Sequence, residues 1–104
     1  DLVVDFRGFA RMRATGCPVI YDVTHSLQRP GGLGTASGGE PALAAMMARA
    51  AAAIPVDGLF IETHPEPSKA RSDAASMLPL AQLPALLEDV ARIVEAARQG
   101  GQKW

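Results

Sequence analysis

Two stretches of similar design decide the fold of this chain: PVIYDVTH at residues 18–25 and DGLFIETH at residues 57–64. Each contains a short apolar run with β-branched and aromatic residues, and each ends in polar side chains. Buried strands of a parallel sheet have this pattern, because both faces are covered and the carboxyl end opens onto a loop. We therefore predict strands over residues 19–23 and 59–61.

Helical patterns follow both predicted strands. The segment from Pro41 to Ile54 is rich in alanine and other strong helix formers, and its proline suits a first helical turn. Apolar residues recur at three- and four-residue spacing from Leu80 to Ala97, with Pro84 expected in the first turn. A weaker pattern predicts a short helix around Phe9 and Met12. This order predicts an α/β fold with a parallel sheet.

Two segments lack such periodicity. Six of the fourteen residues from 26 to 39 are glycine or proline, which predicts an irregular, flexible loop. Its backbone amides, and the helix start that follows, suit an anion such as phosphate or carboxylate; a mobile lid without direct contacts is the alternative. The segment matches neither the GxxxxGK[ST] phosphate-binding loop nor the GxGxxG dinucleotide-binding motif. A polar loop is predicted over residues 66–77.

Composition excludes several functional classes. The chain has 104 residues, of which 48% are hydrophobic and 20% charged, and its net charge is −1. This balance predicts a soluble globular protein without a membrane span and without a basic surface for nucleic acid. The single cysteine, Cys17, cannot form an internal disulfide and fits a cytoplasmic setting. Because it precedes an apolar run, we expect it to be a buried structural thiol.

The length indicates part of a larger domain. The sequence begins at Asp1, without a methionine or signal-type segment, and enters a structured pattern at once. Two parallel strands leave both sheet edges open and bury little surface. We predict that residues 1–104 are the C-terminal part of a single larger α/β barrel, contributing its last two βα units. Residues 98–104 are predicted to form a frayed tail.

Polar residues gather where both predicted strands end: Asp22, Thr24, His25, Glu62 and His64. Active sites of parallel α/β folds lie at this edge of the sheet. Buried imidazoles and carboxylates cost free energy unless they are paired. The placement therefore predicts a functional site.

A divalent cation is one candidate ligand for that site. His25, Glu62 and Asp73 supply one nitrogen and two oxygen donors from separate segments, a set that suits manganese, iron or zinc. The chain has no compact ligand motif, and a core histidine hydrogen-bonded to a backbone carbonyl is the alternative for His25. His64 is expected to cap a helix or to support its neighbours.

Several segments together resemble a known family. They are LVVDFR at residues 2–7, PVIYDVTHSLQ at 18–28, PGGLG at 30–34, SGG at 37–39, DGLFIETHPEP at 57–67, KARSD at 69–73 and LPL at 78–80. In order and separation they resemble the 3-deoxy-D-manno-octulosonate 8-phosphate synthases. The resemblance covers nearly the whole chain, from about Leu2 to about Ala97.

The resemblance implies a partial TIM (β/α)8 barrel and an enzyme of lipopolysaccharide biosynthesis that condenses phosphoenolpyruvate with D-arabinose 5-phosphate and releases phosphate. In metal-dependent members, the counterparts of His25, Glu62 and Asp73 bind the cation with a cysteine of the first barrel strand. That cysteine has no counterpart here, and Cys17 lies elsewhere. Metal-independent members keep the three residues, so both classes stay open, although SDAAS at residues 72–76 is more similar to the metal-dependent branch.

The resemblance also implies further roles and partners. His25 is the expected catalytic residue. The glycine-rich segment after it resembles the family's mobile active-site loop, with Gln28 and Ser37 as expected substrate contacts. The complete enzyme is expected to be a homotetramer that binds two small-molecule substrates and neither nucleic acid nor membrane.

Two alternatives remain at this stage. One is a related synthase that condenses phosphoenolpyruvate with erythrose 4-phosphate. The other is an inert partial chain or interaction module. Whichever synthase the complete protein is, the 104 residues are expected to be inactive alone.

Overall fold

The computed structural model describes residues 2–33, 36–54, 56–72 and 74–99, with the backbone alone for residues 32, 33 and 36–38. The helices and strands, in chain order, are α1 Arg7–Arg13, β1 Ile20–Asp22, β2 Gln28–Leu33, β3 Ala36–Gly39, α2 Ala44–Ala53, β4 Gly58–Phe60, β5 Thr63–His64, β6 Leu78–Pro79 and α3 Leu83–Gln99. Single 3-10 turns lie at His25–Leu27, Pro41–Leu43, Pro67–Lys69, Ala74–Ser76 and Leu80–Gln82.

Strands β1 and β4 form the predicted parallel pair. Their register is Ile20↔Gly58, Tyr21↔Leu59 and Asp22↔Phe60. Asp57 fastens the start of the pair, because its Oδ2 accepts the backbone N–H of Val19 at 2.7 Å and its own N–H donates to the Val19 carbonyl at 2.9 Å. Helix α2 lies between the strands in sequence, as a crossover in an α/β fold does. The α/β class is therefore confirmed.

One face of the parallel pair is covered. Val19, Tyr21 and Val23 alternate onto this face and are at most 4% exposed. The rest of the buried apolar cluster consists of Phe9, Ala44, Ala48, Ala51, Val56, Leu78 and Leu86. Fully buried alanines on α2 let this helix approach its neighbours closely, since a methyl group is the smallest apolar side chain. This packing holds the carboxyl ends of both strands in place.

The opposite face of the pair is open in the part of the chain that the structure describes. Ile20 is 57% exposed and Phe60 is 46% exposed. A Cβ at Gly58 would lie 2.8 Å from Ile20 Cδ1, so the glycine makes room for that side chain. The sequence predicted strands buried on both faces, and the described residues cover one.

The glycine-rich segment is a hairpin, and the prediction of an irregular loop was wrong for its described residues. Strands β2 and β3 pair antiparallel, with Gln28 opposite Gly39, Leu33 opposite Ala36 and an irregular register between them. Gly31 has φ +74°, a left-handed conformation that glycine adopts without steric cost. The composition did not predict the hairpin because glycine and proline have low strand propensity. The backbone hydrogen bonds that form when two such strands pair do not depend on side-chain type.

The hairpin packs against the 3-10 turn at Ala74–Ser76 through Gly39. A Cβ at Gly39 would lie 2.9 Å from the Ala75 carbonyl oxygen and 3.0 Å from Ser76 Cβ. Because the nearest atom belongs to the backbone, the steric clash can be relieved only if the hairpin and the 3-10 turn move apart. We expect Gly39→Ala to destabilise the complete protein by about 1–3 kcal/mol in urea unfolding.

Gly8→Ala is the matched control for that substitution. Gly8 lies in α1, and a Cβ there would have Met12 Cε at 3.7 Å as its nearest contact. Alanine is favoured over glycine in a helix interior by about 0.5–1 kcal/mol, and Gly8 lies in the first turn of α1, so this variant should keep or slightly raise the stability. An unchanged unfolding midpoint for Gly39→Ala would contradict the close packing.

Element boundaries differ from the predictions in three places. Helix α2 begins at Ala44, since the turn that starts at Pro41 is a 3-10 turn. The predicted polar loop over residues 66–77 contains two 3-10 turns, between the short parallel strands β5 and β6. Helix α3 reaches Gln99 and so includes the first two residues of the predicted tail, and residues 100–104 lie outside the described ranges. Pro84 does occupy the first turn of α3.

Cys17 was predicted to be buried, and it is exposed. The chain turns at Gly16, with φ +86°, and burial begins two residues after the cysteine, at Val19. Its position next to an apolar run therefore did not indicate burial of the cysteine. Within the described residues, no helix combines the length and apolar character needed to cross a membrane.

Candidate active site

The carboxyl ends of β1 and β4 bring two predicted site residues together. His25 opens the 3-10 turn that follows β1, and Glu62 lies two residues beyond β4. His25 Nε2 is 3.4 Å from Glu62 Oε1, and the two side chains are 38% and 25% exposed. The Phe60 ring lies beside the imidazole, with 5.8 Å between ring centroids. The pair is thus held at the edge of the sheet and is partly exposed to solvent.

Asp22 holds His25 at two points. Its Oδ1 accepts the backbone N–H of His25 at 2.9 Å, and its Oδ2 lies 2.8 Å from Nδ1 of the imidazole. A separation of 2.8 Å is an ordinary length for a charge-assisted hydrogen bond. The imidazole therefore has one carboxylate at each nitrogen.

Thr24 holds Glu62 from the other strand. The Thr24 side chain is buried, and its Oγ1 accepts the backbone N–H of Glu62 at 2.8 Å. The carbonyl of Glu62 in turn accepts the N–H of Leu78, the first residue of β6, at 3.1 Å. These bonds fix the Glu62 backbone from two sides, so its carboxylate reaches His25 from a defined position.

The Thr24 hydrogen bond can be tested by substitution. Thr24→Val keeps the shape but leaves a partly buried N–H without its acceptor, and we expect it to lower the free energy of unfolding of the complete protein by about 1–3 kcal/mol. Thr24→Ser retains the acceptor and should lose less. A loss in Thr24→Ser as large as the loss in Thr24→Val would contradict this expectation, because it would show that the hydroxyl contributes no more to stability than the methyl group.

Tyr21 and Ser26 brace the same turn. Their hydroxyl oxygens are 2.6 Å apart, and Ser26 Oγ also donates to the Val23 carbonyl at 3.3 Å. The single Ser26 proton is therefore used, and the Tyr21 hydroxyl donates to Ser26. Burial raises the pKa of the Tyr21 hydroxyl, which keeps it in this donor form at neutral pH.

The His25–Glu62 pair fits part of a cation site. Two ligands that each lie about 2.1 Å from one tetrahedral ion are roughly 3.4 Å apart, which is the observed Nε2–Oε1 separation. The third predicted ligand, Asp73, lies outside the described residues. Among the residues that are described, no group of three or more His, Cys, Asp or Glu side chains is arranged to hold a metal ion.

The remaining predicted residues lie nearby or outside. Gln28 begins β2, and its Nε2 donates to Ser76 Oγ at 3.2 Å, close to the Asp73 segment in sequence. Ser37 lies on β3, where the side chain is not among those described. His64 Nδ1 accepts the N–H of Glu66 at 2.9 Å; this bond supports the local chain, and no side chain caps the 3-10 turn at Pro67–Lys69.

Sequence reasoning placed Asp22 and Thr24 in the polar cluster without a specific role. The available signal was spacing. Asp22 precedes His25 by three residues, and acidic side chains commonly accept a backbone N–H from a nearby turn. No sequence pattern indicated that Thr24 would meet Glu62, because that contact crosses between strands.

Comparison with known proteins agrees with this arrangement. Residues 1–98 match the DAHP synthetase I family. The chain belongs to this family. The chain is also similar to curated relatives named 2-dehydro-3-deoxyphosphooctonate aldolase, which confirms the resemblance seen in the sequence.

Three such relatives illustrate the match. The protein from Hydrogenovibrio crunogenus is 48% identical over 96% of this chain, that from Bordetella petrii 50% over 97%, and that from Methylococcus capsulatus 54% over 85%. The chain spans only 36%, 36% and 31% of the length of these relatives. The family is thus established, and the activity of a complete protein requires a separate argument.

Proposed function

We propose that the complete protein carrying this sequence condenses phosphoenolpyruvate with D-arabinose 5-phosphate and water. The products are 3-deoxy-D-manno-octulosonate 8-phosphate and inorganic phosphate, a step of lipopolysaccharide biosynthesis. The observation that carries the proposal is the His25–Glu62 pair at the ends of two parallel strands, in a chain about half identical to 2-dehydro-3-deoxyphosphooctonate aldolases.

In this proposal, residues 1–104 form the last two βα units of a (β/α)8 barrel, the C-terminal part of one domain. The parallel strands β1 and β4, joined through α2 and followed by α3, have the order that such units require. The exposed face carrying Ile20 and Phe60 would then point into the barrel, where other strands cover it. The proposed homotetramer and cytoplasmic location rest on the resemblance and on cysteine usage.

His25, Glu62 and Asp73 are the proposed ligands of a divalent cation, either manganese, iron or zinc. Such an ion supplies Lewis acidity toward a bound oxygen and orients water or an aldehyde. His25 Nε2 and Glu62 Oε1 lie 3.4 Å apart, a separation that two ligands of one ion can have. In the metal-independent alternative, His25 acts by hydrogen bonding to the substrate from the same position.

The hairpin would carry the substrate contacts. Gln28 at the start of β2 and Ser37 on β3 are the proposed polar contacts, and both belong to the segment that directly follows His25. The contact between Gln28 and Ser76 supports a role for this segment at the site, because it ties the hairpin to the turn after Asp73. Substrate binding at Gln28 would exchange this bond for one to the ligand.

The proposal is tested by phosphate release from phosphoenolpyruvate by the complete protein. Release should require arabinose 5-phosphate, and erythrose 4-phosphate should not replace it. Activity that a chelator abolishes and Mn²⁺ restores would support the cation proposal, whereas chelator-resistant activity would place the protein in the metal-independent class.

Two outcomes would overturn the proposed reaction. Release with erythrose 4-phosphate alone would identify the related synthase of the same family. No release with either sugar, from a protein that unfolds cooperatively, would favour the inert alternative.

A further inference from the structure

We infer that Thr24 is a positioning residue for Glu62: its hydroxyl takes the place of a backbone acceptor at the open end of the β1–β4 pair, and it thereby sets the position of Glu62 relative to His25. The inference concerns how two strand ends are joined in the folded protein. It rests on the proposed function only for the effect of that position on the reaction.

The register of the parallel pair identifies the acceptor that is replaced. Asp22 lies opposite Phe60, and the Val23 N–H donates to the Phe60 carbonyl at 3.0 Å. In a regular parallel ladder, the carbonyl of that same residue accepts the N–H two positions further along the partner strand. That N–H belongs to Glu62. A continued ladder would therefore bond the Glu62 N–H to the Val23 carbonyl.

Two hydroxyl groups stand in for that ladder bond. The Glu62 N–H donates to Thr24 Oγ1 at 2.8 Å, and the Val23 carbonyl accepts the Ser26 hydroxyl at 3.3 Å. The Ser26 oxygen is in turn 2.6 Å from the Tyr21 hydroxyl oxygen. Because the N–H and the carbonyl both have partners, the ladder can end here without leaving either backbone group unsatisfied.

The replacement lies where the chain leaves both strands. Thr24 has helical backbone angles, φ −68° and ψ −58°, so its backbone enters the 3-10 turn that carries His25 while its side chain still reaches the neighbouring strand. Glu62 lies between β4, which pairs with β1, and β5, which pairs with β6. One hydroxyl therefore joins the two points at which the site residues depart from the sheet.

The surroundings of Thr24 suit a fixed role. The residue is 3% exposed, and its β-branched side chain has few accessible rotamers. The Glu62 carbonyl is held separately by the Leu78 N–H at 3.1 Å. Since Thr24 directly precedes His25, its bond to Glu62 is a short link between the two site residues, whose Nε2 and Oε1 atoms are 3.4 Å apart.

Thr24→Val tests the role by removing the acceptor while keeping the shape of the side chain. In a crystal structure of this variant of the complete protein, we expect the Glu62 carboxylate to be displaced by about 1 Å relative to His25. A misplacement of about 1 Å at a reacting centre can lower a rate about 10²-fold. We therefore expect kcat/KM for phosphate release to fall about 10–100-fold.

Thr24→Ser and Leu86→Ala are the matched controls. The serine hydroxyl can still accept the Glu62 N–H, so this variant should keep the parent geometry and a kcat/KM near that of the parent. Leu86 is buried on α3, and its truncation lowers stability by leaving a cavity. Leu86→Ala thus shows how far reduced stability alone lowers kcat/KM, and we expect a much smaller decrease than in Thr24→Val.

A displaced Glu62 carboxylate and a reduced kcat/KM in Thr24→Val, with Thr24→Ser close to the parent, would support the inference. A carboxylate that stays in place in Thr24→Val would overturn it. So would a decrease in kcat/KM no larger than that of Leu86→Ala, or an equal decrease in the serine and valine variants.

One further measurement decides the case if Thr24→Val fails to fold. In a crystal structure of the complete parent protein, a Glu62 N–H bonded to the Val23 carbonyl would overturn the inference, and one bonded to the Thr24 hydroxyl would support it. If the parent releases no phosphate, the proposed function is wrong, whereas the crystal structures of the parent and of the variants still decide the role of Thr24.

Discussion

His25→Gln should reduce kcat/KM for phosphate release by the complete protein about 10²–10³-fold, the range lost when one positioned electrostatic contact at the reacting centre is removed. Glutamine is close in polarity and size, but it cannot offer Nε2 toward Glu62, nor can it present an imidazole to Asp22. The measurement is initial-rate phosphate release from phosphoenolpyruvate with arabinose 5-phosphate.

His64→Gln is the comparison variant for that experiment. His64 ends the same kind of strand sequence, but its ring nitrogen accepts a backbone N–H from Glu66 and serves the local turn. The decrease in kcat/KM caused by His64→Gln should therefore be much smaller than that caused by His25→Gln. Both variants should unfold at urea concentrations near that of the parent. Parent-like activity in His25→Gln would remove His25 from the mechanism, and equal losses in both variants would assign the effect to the strand ends in general.

Ile20→Ala should destabilise the complete protein by about 2–5 kcal/mol, as buried isoleucine truncations do. The described residues leave Ile20 57% exposed, and a half-exposed side chain would cost much less. The larger expected loss follows from the proposed barrel, in which this face of β1 points inward and packs against side chains of other strands. Urea unfolding of the complete protein measures it.

Two variants calibrate the Ile20 result. Val23 is fully buried within the described residues, so Val23→Ala should cost about 2 kcal/mol whatever covers the other face. Glu88 is exposed on α3, and Glu88→Ala should change stability by less than about 0.5 kcal/mol. If Ile20→Ala lowered the free energy of unfolding as little as Glu88→Ala, the proposal that these strands belong to a closed barrel would be wrong.

Local patterns predicted most of the regular structure. The apolar runs located β1 and β4, and the three- and four-residue spacing located α3, because burial on one or both faces leaves a periodic record in the sequence. The hairpin was missed, since a glycine-rich pair of strands is joined by backbone hydrogen bonds that leave no apolar pattern. The predicted burial of Cys17 was wrong because Cys17 lies in the turn before β1, and the buried residues begin only two positions later, at Val19.

The sequence by itself determined the family, the α/β class and the candidate residues His25 and Glu62, because strand ends and residue types are local properties. Only the tertiary structure decided which atoms meet. The bond from Thr24 to the Glu62 backbone and the contact of Gln28 with Ser76 depend on how separate segments pack. Distances between segments distant in the chain follow from that packing, and no local pattern encodes them.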